Sequence, residues 1–289
     1  MDTQSLIGKW GKVGRPPKSA YEGQSDTADA ISDTADSTDV EQDISQRFTA
    51  LEDMARGVIA GCYRAVVVSG NPGIGKTFTL ERILGEAAVN KKVRYTSVHG
   101  YARATGLYRL LYDHRQEGNV ILFDDCDSVF GDETSLNLLK AALDSTKKRQ
   151  VSWHSEKNFK DDGGENLPKS FDFEGSVIFI TNLDFDKAIS SRLGPYLEAL
   201  ISRSFYLDLN MRSANQLMTR LTSVVHGSSI LKDLGLSEED GEYLLGYIQK
   251  NWRSLREVSL RTVVKLSSIL KASVDNKEFE RVARATCCK

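Results

Sequence analysis

Residues 65–77 read Ala65-Val66-Val67-Val68-Ser69-Gly70-Asn71-Pro72-Gly73-Ile74-Gly75-Lys76-Thr77. A short β-branched run leads into a glycine-rich loop, and the loop leads into an apolar helical pattern from Phe78 to Ala87. The octet 70–77 fits G-x-x-x-x-G-K-[ST] without a mismatch. The chemistry of that pattern is phosphate binding. Glycines let the backbone wrap with its amides pointing inward, and the following helix adds the positive end of its dipole. Lys76 is placed to reach the β- and γ-phosphates of a nucleoside triphosphate, ATP or GTP, and Thr77 to ligate Mg²⁺. Gly70, Asn71, Pro72, Gly73, Ile74, Gly75, Lys76, Thr77 and Phe78 are therefore the expected nucleotide-binding residues.

Outward from this loop, strand and helix signals alternate. Val93 to Val98, Val120 to Phe123, Val177 to Ile180 and Phe205 to Leu209 read as four further strands. Helical patterns stand at 107–114 and 136–143. Strands alternating with helices, and read as apolar throughout, predict a parallel sheet covered on both faces. The fold class expected is α/β, a five-stranded parallel sheet with helices on both faces. After about residue 210 the strand signals stop. Helical patterns follow at 212–225, 238–250, 257–271 and 276–285, with Asn210 or Ser213 as the first cap, which predicts a small all-helical domain. A nucleotide site also needs an acid that reaches the metal. Val120-Ile121-Leu122-Phe123-Asp124-Asp125 supplies two, with Asp124 expected in the Mg²⁺ shell and Asp125 expected to polarise the attacking water.

With these features the chain resembles the AAA+ ATPases over roughly 46–285. The resemblance implies a polar sensor at the end of the next core strand, an arginine finger and a helical lid. Val177-Ile178-Phe179-Ile180-Thr181-Asn182 looks like the sensor strand, with Asn182 as its amide. Ala199-Leu200-Ile201-Ser202-Arg203-Ser204 looks like the finger segment, so that Arg203 would reach ATP on a neighbouring subunit, with Arg192 as its competitor. Ser259-Leu260-Arg261-Thr262 looks like the second sensor, with Arg256 as the alternative to Arg261. The resemblance therefore implies an ATP hydrolase that uses Mg²⁺ and works as a homo-oligomer, a hexamer-like ring or a filament. The family usually has Asp-Glu where this chain has Asp124-Asp125. Aspartate is one methylene shorter, so slow hydrolysis is an expectation, and so is a role as an ATP-dependent switch.

Composition bounds the rest. The 289 residues carry 40% hydrophobic residues and a formal charge of −2, enough for a sizeable core and too little charge to select a partner. No apolar run is long enough to span a bilayer, and no apolar stretch follows Lys9, Lys12, Arg15 and Lys18, so no membrane partner and no signal peptide are expected. Cys62, Cys126, Cys287 and Cys288 form no CxxC pair and read as reduced thiols of a soluble intracellular protein, cytoplasmic or viral within a host. Residues 22–43 hold acids and no Lys or Arg, and Ser-Asp-Thr-Ala-Asp occurs there twice. That composition predicts a disordered tail over 1–45, ahead of an ATPase core at 46–210 and a lid at 211–289.

Three features bear on the substrate. Gly14-Arg15-Pro16-Pro17-Lys18 resembles part of an AT-hook, which lies in the A·T minor groove. His99-Gly100-Tyr101-Ala102-Arg103 is a loop that in AAA+ rings can face the pore and grip a peptide or a nucleic-acid backbone. Residues 146–175 hold six basic residues with Trp153 and Phe171 among them, and Val151–His154 and Ser170–Phe173 are expected to pair as a hairpin that tracks a DNA backbone. The reading favoured is action on DNA, as a helicase-like motor, a helicase loader or a replication accessory factor. Remodelling of a protein partner gripped by Tyr101 is the rival.

Overall fold

The computed structural model describes residues 37–154 and 166–289. The Arg15 motif and the tip of the 146–175 segment lie outside the described residues. The described chain forms two units, one spanning Gln42–Arg212 and the other Ser213–Lys289 together with the described residues up to Glu41.

In chain order the elements are α1 (Ser37–Ile59), which belongs to the first unit from Gln42 onward, then β1 (Ala65–Ser69), α2 (Lys76–Val89), β2 (Arg94–His99), α3 (Ala104–Asp113) and β3 (Asn119–Asp124). A 3-10 turn (Asp127–Phe130) and α4 (Glu133–Ala142) follow, then two short strands, β4 (Gln150–Ser152) and β5 (Ser170–Asp172). β6 (Ser176–Thr181), α5 (Phe185–Ala188), α6 (Gly194–Ile201) and β7 (Phe205–Asp208) complete the first unit. The sheet order is β2-β3-β6-β1-β7, and every pairing in it is parallel. Every residue of β1 and β6 is buried. Successive strand residues point to opposite faces, so complete burial means that both faces are covered. This is why Val66-Val67-Val68 and Val177-Ile178-Phe179-Ile180 are unbroken apolar runs. β2 lies at an edge and is half-exposed, and its sequence, Arg94-Tyr95-Thr96-Ser97-Val98-His99, is correspondingly polar. Phe123 stacks on Phe179 across β3 and β6 with ring centroids 5.2 Å apart, in a core shared with Leu107, Leu111, Leu136 and Leu139. Because all five strands run the same way, their C-terminal ends share one edge. The glycine loop, Asp124 and Asn182 are all delivered to that edge, the usual ligand position in an open α/β sheet.

Two expectations change. Helix α1 begins at Ser37, so Asp39, Glu41 and Asp43 are helical residues and the disordered tail expected over 1–45 does not extend to 45. The helix is held by burial of Ile44, Phe48 and Leu51 and by an Arg47–Asp43 ion pair at 2.9 Å. Acids in its first turns also suit the positive end of its dipole. The expected hairpin forms as β4–β5, with Val151 opposite Phe171. Its aromatics, however, do not face solvent for DNA tracking. Phe171 is buried, and its ring lies 5.1 Å from Tyr108 and 5.3 Å from Tyr112 of α3. Trp153 packs against the same core, 5.9 Å from Tyr108. Burying these apolar rings favours folding more than exposing them for a ligand does.

The second unit is helical: α7 (Ala214–Gly227), α8 (Ile230–Asp233), α9 (Glu238–Asn251), α10 (Leu260–Ala272) and α11 (Asn276–Cys287). Ser213 caps α7 through a capping box with Gln216. Asn210 instead donates from Nδ2 to Ser69 Oγ at 3.4 Å. The unit's core is Leu221, Leu244, Ile248, Val263, Leu266 and Phe279, with Cys287 and Cys288 buried beside them as free thiols.

Candidate functional site

The loop 70–77 has the backbone that its glycines imply. Gly73 (φ 69°) and Gly75 (φ 100°) are both in the left-handed region, where an L side chain is strained. Gly75 is the N-cap of α2, so the amides of the first turn face the loop. Gly70 is needed for close approach. A Cβ there would stand 2.9 Å from Leu209 Cβ and 3.1 Å from the Leu209 carbonyl carbon. Gly70→Ala is therefore expected to push the loop off β7 and lower Tm by several degrees, measured by thermal denaturation, with ATP binding weakened as well.

Lys76 is almost fully buried, and its ammonium is held by three acceptors. Nζ donates to Gly70 O at 2.5 Å, Asn71 O at 2.8 Å and Asn182 Oδ1 at 3.0 Å. The Asn182 amide turns its other end to Asp125, donating from Nδ2 to Oδ1 at 2.8 Å. An amide suits this bridge because it accepts from a cation on one side and donates to a carboxylate on the other. Thr77 Oγ1 lies 3.1 Å from Asp124 Oδ1. The structure thus brings Lys76, Thr77, Asp124, Asp125 and Asn182, drawn from the ends of three strands, into one cluster. Hydroxyl and carboxylate oxygens are the hard donors that Mg²⁺ takes, and two protein ligands are enough when phosphate oxygens and water fill the remainder. Among the described residues no group of three or more His, Cys, Asp or Glu could hold a metal. The donor set at 77 and 124 fits Mg²⁺ bound together with a triphosphate.

Asp125 has φ 49° and donates its backbone N–H to Ile180 O at 3.1 Å. Outside glycine, Asn and Asp tolerate this left-handed backbone best. That conformation gives a local reason for aspartate, not glutamate, at 125.

Two further residues, His99 and Asp127, join the site that motif reading did not assign to it, and Asn71 of the loop gains a structural tie. His99 Nδ1 is 3.3 Å from Asp124 Oδ2, because β2 and β3 pair with His99 opposite Asp124. Asp127 accepts from Thr181 Oγ1 at 2.5 Å, and burial pushes its carboxyl above the ordinary range while that hydrogen bond pulls it back. Asn71 Oδ1 accepts from Met211 N at 2.5 Å, tying the loop to the segment after β7. The acidic run Asp124-Asp125-Cys126-Asp127 was a signal for Asp127; nothing local marks His99.

The matches to known proteins agree with this architecture. Residues 66–199 match the family described as ATPase family associated with various cellular activities (AAA). A 36.7 kDa protein from the nrdC-mobD intergenic region of Enterobacteria phage T4 is 36% identical over 247 residues, 85% of this chain and 74% of that one. The chain belongs to the AAA ATPase family. Domain III of the Thermotoga maritima replication initiation protein DnaA shares the fold, with a TM-score of 0.52 at 15% identity over 85% of this chain and 92% of that one.

The arginines expected from AAA ATPases fall in different places. Arg203 precedes β7, at the level of the strand starts. Val66 pairs with Phe205 and Ser69 with Asp208, so Arg203 stands at the end of the sheet opposite the glycine loop. The separation is roughly 20 Å at about 3.3 Å per strand residue. Arg203 does not join the cluster of its own chain. Its Nη1 donates to Ala199 O at 2.7 Å, and Nε lies 3.8 Å from Asp144 Oδ2. Arg192 is exposed beside Asp132 and Glu133 in a cleft of about 450 Å³. In the helical unit, Arg256 is committed to the chain end: its N–H donates to Cys287 O at 2.9 Å and Nε to Cys288 O at 2.8 Å. Arg261 is exposed in the first turn of α10 and has no hydrogen bond or ion pair among the described residues. Phe78, 63% exposed, follows Thr77 directly, and Tyr101 is 73% exposed in the loop before α3.

Proposed function

We propose that this AAA protein hydrolyses ATP at a site shared between copies of the chain and uses the cycle to act on DNA. The observation that carries the ATPase reading is the linked set Lys76–Asn182–Asp125 beside Thr77–Asp124. On ATP binding, Lys76 exchanges loop carbonyls for phosphate oxygens, which its single positive charge favours. Asn182 keeps Asp125 aimed at the same point, where the carboxylate orients and polarises the attacking water. Thr77 and Asp124 hold Mg²⁺, which offsets phosphate charge when bound. Arg203 belongs to a second copy in this reading, since its own loop lies at the far end of the sheet. Arg261 is the second sensor in preference to Arg256, whose guanidinium already holds the C-terminus. The ATPase core then occupies 46–210 and the lid 211–289.

If Arg203 is the finger, Arg203→Ala leaves ATP binding within a few-fold and lowers turnover by about 10³-fold. Full turnover in that variant excludes the role.

Action on DNA is supported by the replication role named for the Thermotoga relative, by the Arg15-Pro16 motif and by exposed Arg103 beside Tyr101. Turnover measured with and without single-stranded and duplex DNA at two salt concentrations tests it. Stimulation that shrinks as salt rises is the expected result. Turnover indifferent to DNA but raised by a folded or unfolded polypeptide would favour the remodelling role, for which exposed Tyr101 is the supporting feature.

A further inference from the structure

The helical unit contains a cleft that the ATP site does not use. Its walls are one face of α9 and one face of α11, and it encloses about 310 Å³. From α9 it is lined by Tyr243, Gly246, Tyr247 and Lys250, and from α11 by Lys277, Arg281 and Arg284. These residues stand three and four apart, which places each set along one helix face. Four cations thus meet a single lining carboxylate, Glu280. Lys250, Lys277 and Arg284 have no ion-pair partner among the described residues. Arg281 has only a surface contact with Glu278, at 3.7 Å. Like charges gathered without partners destabilise a fold, so their concentration around a concavity calls for an anionic occupant.

The floor supports the same conclusion. Gly246 lies inside α9, where glycine weakens a helix relative to alanine. No atom stands within 4 Å of the position its Cβ would take. Packing does not require glycine there, and its effect is to leave the cleft open. Tyr243 and Tyr247 flank that opening, steadied by the Phe279 ring at 5.3 and 5.2 Å. The two rings are packed into the unit's core and act as an apolar wall, so the row of cations along the cleft is what meets a phosphate backbone. A cleft between two helices admits one strand, whereas a duplex would rest on the helix ridges.

We propose that the α9–α11 cleft binds the backbone of single-stranded DNA. This rests on the reading of the protein as a DNA-directed ATPase and adds a contact surface to it outside the ATP site. The test is fluorescence anisotropy of the full chain with labelled oligo-dT across a salt series. The triple variant Lys277→Ala/Arg281→Ala/Arg284→Ala is expected to bind at least about tenfold more weakly at low salt. The slope of log K against log salt should become shallower by about 2, as three fewer phosphates are neutralised. Gly246→Leu, which removes no charge, should weaken binding several-fold by filling the floor. Lys232→Ala/Lys265→Ala/Lys271→Ala removes the same charge elsewhere in the unit and should change affinity less than threefold. Binding of a fluorescent ATP analogue, unchanged in all three, reports that the chain is folded. If wild type binds oligo-dT and is stimulated by it, but the cleft variants bind equally well, the cleft is not the site and the DNA-directed reading survives. If wild type neither binds nor responds, both are overturned. Poly-glutamate binding in place of oligo-dT would assign the cleft to an acidic protein and overturn the proposal.

Discussion

Lys76→Ala is expected to lose ATP binding by 10²-fold or more. The ammonium is nearly fully buried and is held by Gly70 O, Asn71 O and Asn182 Oδ1. It is thus already aimed into the glycine loop, where the phosphates of a bound triphosphate would replace those acceptors. Each charge-assisted contact is worth about 1.5–3 kcal/mol, and about 1.4 kcal/mol is tenfold in Kd. Loss of two such contacts gives about 10²- to 10⁴-fold. Lys76→Met keeps the methylene stem and should lose binding to the same degree, which separates charge from packing. Calorimetric titration with a non-hydrolysable ATP analogue measures the effect. A Kd within threefold of wild type in both variants would remove Lys76 from the site.

Asp125→Asn should leave ATP binding intact and lower turnover by about 10²–10⁴-fold, the contribution typical of a positioned general base. Asparagine is chosen because it tolerates φ 49° and can still accept the Asn182 amide hydrogen bond through its carbonyl. Backbone and bridge therefore persist, and only the carboxylate is lost. Asp125→Glu tests the backbone argument. A longer side chain at a left-handed position should lower stability by about 1 kcal/mol, read as a lower denaturation midpoint. Single-turnover hydrolysis with matched ATP occupancy is the measurement. Turnover of Asp125→Asn equal to wild type would show that another group, with Asp127 the nearest candidate, orients the water.

The parts of the site that motif reading reached are those that one strand and its following loop define. Ala65 to Thr77 specify a strand, a phosphate loop and a helix start in thirteen adjacent positions, and the structure forms them as β1, the loop and the start of α2. Asp124, Asp125 and Asn182 were legible for the same reason, as polar residues that end apolar strands. The misreadings involve distance along the chain. Trp153 and Phe171 look like exposed aromatics among lysines until α3 is packed beneath them. Composition reads as a disordered tail to residue 45, whereas α1, with Ile44 and Phe48 buried, begins at Ser37. Arg256 and Arg261 sit in similar tripeptides. They differ because the chain end, 32 residues on, accepts a hydrogen bond from Arg256.

By itself the sequence determined the family-level chemistry of this protein: a parallel sheet, a glycine loop that cradles phosphate, and acids at the strand ends. Those features follow from side-chain alternation and backbone freedom within short stretches, which a linear reading contains. Only the tertiary structure decided that β6 lies between β1 and β3, so that Asn182 bridges Lys76 and Asp125. It alone set His99 against Asp124, sent Arg203 to the opposite end of the sheet and opened the basic cleft between α9 and α11. Each of these depends on strand register or helix packing between residues far apart in sequence, and burial of the shared core fixes that register.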